Sequence, residues 1–104
     1  PAIFDLMDRA PDPSLIERVR LAALAVPDVM AIEKLKVRRA GTGLFVDLHV
    51  QSDPELSLHD AHIVSGKVKG AIRGAIDRVE GVLIHMEPYE GAMSSPAPTP
   101  SRPT

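Results

Sequence analysis

The chain has no cysteine and no tryptophan. Disulfide frameworks and thiolate zinc sites are thereby excluded. Aromatic residues are scarce: Phe4, Phe45 and Tyr89 are the whole set. The stacking platforms that single-stranded nucleic acid needs are therefore absent. Charge of one sign is also in short supply. The formal net charge is −2 and no long basic run exists, so the footprint of a nucleic-acid or anionic-lipid binder is missing. No apolar run approaches the ~20 residues of a membrane-spanning helix. The longest lies near Leu21–Val26, and no signal peptide is visible. The chain opens at Pro1 without an initiator Met, which suggests a fragment cut from something longer.

Length is limiting too. The chain has 104 residues, enough for one domain. A chain of this size buries only about 60–65 % of the surface its unfolded form exposes, so a second copy is a reasonable expectation. Two segments stand apart. From about Met93 to Thr104 the sequence is rich in Pro, Ser and Thr and lacks large side chains, the composition of a disordered, partly polyproline tail. Pro1–Pro11 carries Ile3, Phe4, Leu6 and Met7 and reads as a lead-in arm.

Between these segments the periodicity is informative. Asp12 can cap a helix whose first position suits Pro13. Leu15, Ile16, Val19, Ala22, Ala23 and Val26 follow at helical spacing, and Pro27 stops them. Val29–Arg39 reads as a strand, with Ala31, Leu35 and Val37 on one parity and Lys34, Lys36 and Arg38 on the other. Ala40-Gly41-Thr42-Gly43 is turn chemistry. Leu44, Val46, Leu48 and Val50 then alternate with Phe45, Asp47, His49 and Gln51, which predicts the second arm of a hairpin.

Ser57 and Asp60 have capping-box spacing. A buried stripe is expected from Leu58, Ala61, Val64, Val68, Ala71, Ile72, Ala75 and Val79, with Gly81 just past the helix end. Val82–Glu87 predicts a last strand. The fold expected is α+β: a ferredoxin-like or metallochaperone-like two-layer sandwich of order α-β-β-α-β. It has a three-stranded mixed sheet with two helices on one face, and the last strand lies beside the first.

All four histidines lie between His49 and His85. His85 and Glu87 share one parity of the last strand, about 7 Å apart at the backbone, so both can reach one divalent ion. Imidazole with carboxylate suits zinc, iron(II), cobalt, manganese or nickel. His49, His62 and Glu33 are candidates from other elements, whereas His59 points outward by helical angle. The plainer alternative for each histidine is a solvated surface residue. Gly66, Gly70 and Gly74 recur every four residues on the long helix, which fits either close approach of another surface or a tolerant exposed face.

These residues carry a family resemblance. The pieces are Leu6-Met7-Asp8, Leu35-Lys36-Val37-Arg38-Arg39-Ala40-Gly41 and Phe45-Val46-Asp47-Leu48-His49-Val50, then Leu56-Ser57 with Ala61-His62, then Ile84-His85-Met86-Glu87-Pro88. Together they resemble the C-terminal cytoplasmic domain of cation diffusion facilitators, from Leu6 to Pro88. The resemblance implies a homodimer with a divalent metal at the dimer contact, covalently linked to a transmembrane half that exchanges metal for protons. The full protein would lie in the cell membrane, with this domain on the cytoplasmic side. The site positions it implies are His49, His62, His85 and Glu87, and Glu33 stands where zinc-transporting relatives have another His. Zinc is the first ion expected, with iron, manganese, cobalt, nickel or cadmium as alternatives. Asp8 resembles an acidic residue near the membrane boundary. The implied division is 1–11 as linker, 12–91 as the metal-binding and dimerisation domain, and 92–104 as tail.

Rival readings are a free-standing metallochaperone-like module and a purely structural dimerisation domain. A metal-dependent hydrolase using His49, His85 and Glu87 would need an open coordination position and a concave apolar pocket. No nucleophile or oxyanion motif is visible, so an enzyme is not expected.

Overall fold

The computed structural model describes residues 12–91. The expected linker over 1–11, with Asp8, and the expected tail over 92–104 lie outside the described residues. The elements run α1 (Pro13–Leu24), β1 (Ala31–Ala40), β2 (Gly43–Ser52), α2 (Leu58–Ala75) and β3 (Val79–Pro88).

Local chemistry sets each start. The Asp12 carboxylate accepts from the Ser14 N–H at 2.9 Å, with Pro13 in the first turn of α1. The Ser57 hydroxyl accepts from the Asp60 N–H at 3.0 Å and caps α2. Gly41 turns the hairpin at φ +62°, where a Cβ would be strained.

The helix end differs from the sequence expectation. The α2 helix stops at Ala75, and Ile76 is extended and buried. Arg78, not Gly81, takes the left-handed turn, at φ +66°. Val79 and Gly81 belong to β3. Ile72 and Ile76 are four apart and both buried, so the helical period continues past the helix and hides its end. Leu58 and Ala75 are also not part of the buried stripe, and Leu58 is 87 % exposed. Leu58 opens α2 beside a hollow of about 350 Å³ that Leu56, Met86 and Pro88 help to line.

The sheet order is β1-β2-β3, so β3 lies beside β2 and not beside β1. β1 pairs antiparallel and β3 parallel to β2. The strand–helix–strand crossover returns β3 parallel to β2, the strand it left. Leu44, Val46, Leu48 and Val50 of β2 are all buried. They form one core with Val19 and Ala23 of α1, Val37 of β1, and Val64, Val68 and Ile72 of α2. Both helices therefore cover the same face of the sheet. Among the described residues, nothing packs over the other face, the open face.

A bulge breaks the simple parity of β1. Between the Glu33–His49 and Lys36–Asp47 pairs, β1 has Lys34 and Leu35 where β2 has only Leu48. Lys34 sits at φ +50°, a left-handed conformation that costs a non-glycine residue about 1–2 kcal/mol. N-terminal to the bulge the faces exchange. Ile32 faces the core opposite Val50, and Ala31 falls on the other face from Leu35 and Val37. Glu33 moves to the open face, opposite His49. In an unbroken ladder it would share the core parity of Val37.

The exposed glycines Gly66, Gly70 and Gly74 have nothing within 4 Å of where a Cβ would stand. No described residue of this chain makes the close approach they allow.

Candidate metal centre

The open face carries the polar parity of all three strands. From β1 it holds Glu33, Lys36 and Arg38, and from β2 Phe45, Asp47, His49 and Gln51. From β3 it holds Gly81, Leu83, His85 and Glu87. The ladder places Asp47 beside Leu83, His49 beside His85, and Gln51 beside Glu87.

Because His49 and His85 are direct neighbours in a parallel ladder, their rings meet. They stack with centroids 4.4 Å apart and an interplanar angle of 16°. Each imidazole also has a carboxylate partner. His49 Nδ1 pairs with Glu87 Oε2, and His85 Nε2 lies 3.3 Å from Asp47 Oδ1. The second oxygen of Glu87 accepts from the Gln51 amide at 3.5 Å. The hydrogen bond from His49 holds the Glu87 carboxyl below its ordinary range, and Gln51 and the charge of Lys34 add to this. The His49 side chain is 21 % exposed and that of His85 44 %. Both are open enough for an ion to approach, and His49 is enclosed enough to be fixed in place.

One ligand atom from each of Asp47, His49 and His85 lies within 4.8 Å of the others. Two imidazoles and a carboxylate at that spacing form a donor set for a borderline divalent ion. The residues present therefore fit such an ion by donor type and by convergence.

Of the positions singled out in the sequence, the structure brings together His49, His85 and Glu87. Glu33 stands opposite His49 in the register and is exposed. His62 is exposed on α2, in the helix layer across the sheet, and is not in this group. Asp47 was not singled out as a ligand. The signal was present, because it shares the β2 parity of His49, two residues away. Beside the group, Phe45 lies over Gly81, where an added Cβ would stand 3.2 Å from the ring. The Arg38 guanidinium is 5.4 Å from the Phe45 centroid. These residues, with Lys36, Asp47 and Leu83, line a hollow of about 300 Å³.

Among the described residues, no helix is long and apolar enough to cross a membrane. Comparison with known proteins is consistent across three levels. Residues 11–89 match the family described as cation efflux protein, cytoplasmic domain. Metal tolerance protein 2 of Oryza sativa subsp. japonica is 34 % identical over 85 residues, covering 82 % of this chain and 22 % of that protein. The cation-efflux pump FieF of Shewanella oneidensis is 32 % identical over 89 residues, covering 86 % of this chain and 30 % of the pump. The chain thus spans between a fifth and a third of these relatives. Among solved structures, a MamM CTD variant in a cadmium form superposes with a TM-score of 0.72 at 29 % identity, covering 75 % of this chain and 96 % of that one. A manganese form of another MamM CTD variant gives 0.70 at 27 % identity, with 74 % and 98 % covered. The α-β-β-α-β order and three-stranded mixed sheet are shared with that fold. This chain belongs to the cytoplasmic-domain family of cation efflux proteins, a family of transporter domains and not of enzymes.

Proposed function

We propose that this chain is the metal-sensing, dimerising cytoplasmic domain of a divalent-cation efflux transporter, whose transmembrane half performs cation/proton antiport. The observation that supports this most is the stacked His49–His85 pair, flanked by Asp47 and Glu87 on an uncovered sheet face. His49, His85 and Asp47 would hold the ion. Glu87 joins them by exchanging its bond to His49 for the metal, and Glu33 completes the rim from β1. His62 lies across the sheet in its own copy, so in this reading it reaches the site from a second copy. That requirement puts the ion at a homodimer contact. Residues 12–91 form the domain, 1–11 lead from the membrane half and 92–104 form the tail. The full protein resides in the cell membrane with this domain on the cytoplasmic side.

The ion we favour is zinc, with iron(II), manganese, cobalt, nickel or cadmium admitted by the same donors. The manganese and cadmium forms of the MamM CTD support a divalent ion in general. The ion supplies positive charge where Glu33, Asp47 and Glu87 of two copies would otherwise repel. It interacts favourably only with the closed arrangement of the dimer, and so shifts the population toward it. Each imidazole must offer a free nitrogen, so binding weakens in acid.

Calorimetric titration with zinc and with manganese, of the wild type and of His85→Ala, tests the site. Saturable binding lost in the variant supports it. No binding, or binding untouched by the substitution, sinks it and leaves the second reading, a structural dimerisation domain. Exposed Phe45 and Leu83 beside the group favour that alternative. For a free-standing metallochaperone-like module, the gene is decisive: a start codon just before Pro1 supports it, and a run of hydrophobic spans eliminates it.

A further inference from the structure

β1 is an outer strand of ten residues, and among the described residues no strand pairs with its free edge. Such an edge presents unpaired N–H and C=O groups that a second copy can use. The β1 ladder is broken once. Leu35 packs against the core, which leaves Lys34 as the extra residue. The β3 ladder is also broken once: between the Leu44–Val79 and Phe45–Gly81 pairs, Glu80 is extra. Both insertions fall on outer strands, never on β2, and both are exposed charged residues. β3 has two further devices at its ends. It closes on Pro88, which has no N–H to offer, and the Arg73 guanidinium reaches the Glu80 carbonyl at 3.4 Å. β1 contains no proline, and its bulge lies within the strand.

The covered and open faces do not require the β1 insertion. Deleting Lys34 would leave Glu33 opposite His49, Leu35 opposite Leu48 and Lys36 opposite Asp47, a regular ladder with every side chain on its present face. Lys34 nevertheless holds φ +50°, a conformation that its Cβ disfavours. What the insertion changes is the outer edge, which a bulge bends and twists out of line. We propose that the Lys34 bulge guards the β1 edge, preventing a second copy of this chain from adding to the sheet edge to edge. The guard needs no bound metal.

The test is sedimentation of the whole chain over a range of concentrations in a metal chelator, with amide hydrogen exchange read on the β1 segment. Deletion of Lys34 is expected to give a chain that still unfolds cooperatively but self-associates. Its weight-average mass should rise at least about two-fold over the wild type, and its β1 amides should exchange more slowly. Lys34→Gly removes the charge and suits a left-handed backbone, so it keeps the bulge and should sediment as the wild type does. A deletion variant of wild-type mass overturns the proposal. So does one that loses cooperative unfolding, because the bulge would then build the domain instead of guarding its edge. Association without slower exchange in β1 overturns it by placing the contact elsewhere. Equal association of Lys34→Gly overturns it by assigning the protection to charge and not to the bulge.

Discussion

The two faces of the sheet are built from the same strands and do opposite things. On the covered face, Leu44, Val46, Leu48 and Val50 of β2 are buried under two helices. On the open face, the alternate residues Phe45, Asp47, His49 and Gln51 meet ionisable partners and solvent. A covered face needs only apolar volume, and many side chains of similar size would serve. An open face that gathers ligand atoms needs particular residues in one register. One strand meets both demands because its side chains alternate. Its register is pinned by the covered face, since a one-residue slip would bury His49 and expose Leu48.

The comparison is broken most strongly from the covered side. Leu48 is fully buried, and Leu48→Ala is expected to destabilise the fold by about 2–5 kcal/mol, read as a lower midpoint in chemical denaturation. His85→Ala should do the reverse. Unfolding should shift by less than ~1 kcal/mol, because the residue is half exposed. Metal affinity should fall at least as far as the 10–100-fold that even outer-shell changes cost. If His85→Ala unfolds the chain, or Leu48→Ala abolishes binding in the still-folded protein, the division between the faces is wrong.

Smaller effects sharpen it. Ser57 caps the helix that covers the core and touches nothing on the open face. Ser57→Ala should cost about 1 kcal/mol in thermal unfolding and leave zinc titration unaltered. The smallest effect belongs to Glu87. Its folded pKa is lowered from 4.5, chiefly by the bond from His49. Its contribution to stability is thus present above the unfolded value and is lost as pH falls through the folded one. Melting temperatures of the wild type and Glu87→Gln should differ at pH 5–6, and the gap should close as the pH falls from 4.5 through the lowered folded value. Curves that stay parallel would mean that the pairing with His49 contributes nothing.

Much of the fold was legible because its signals are local. The Asp12-Pro13 and Ser57-x-x-Asp60 caps, the Gly41 turn and the alternation of β2 depend on neighbours a few residues away. The shared parity of His85 and Glu87 was readable for the same reason. The helix end was not, because Ile76 continues the α2 period while its backbone is already extended. Nor was the parity of β1, since Lys34 gives no chemical hint of a bulge. Asp47 shares the parity of His49 in the same strand, but its pairing with His85 joins residues remote in sequence and only the fold shows it.

The sequence by itself determined which segments are helices and strands, and which side chains of each strand are polar. Those properties follow from backbone periods that repeat within one element. Only the tertiary structure decided that β3 lies beside β2, which stacks His49 on His85 and brings Glu87 within reach. It also decided that the bulge sets Glu33 on the open face, and that His62 stands across the sheet from the rest. These are matters of which strand pairs with which and in what register. Such pairings are fixed by hydrogen-bond ladders and core packing between residues far apart in the chain, and no local period records them.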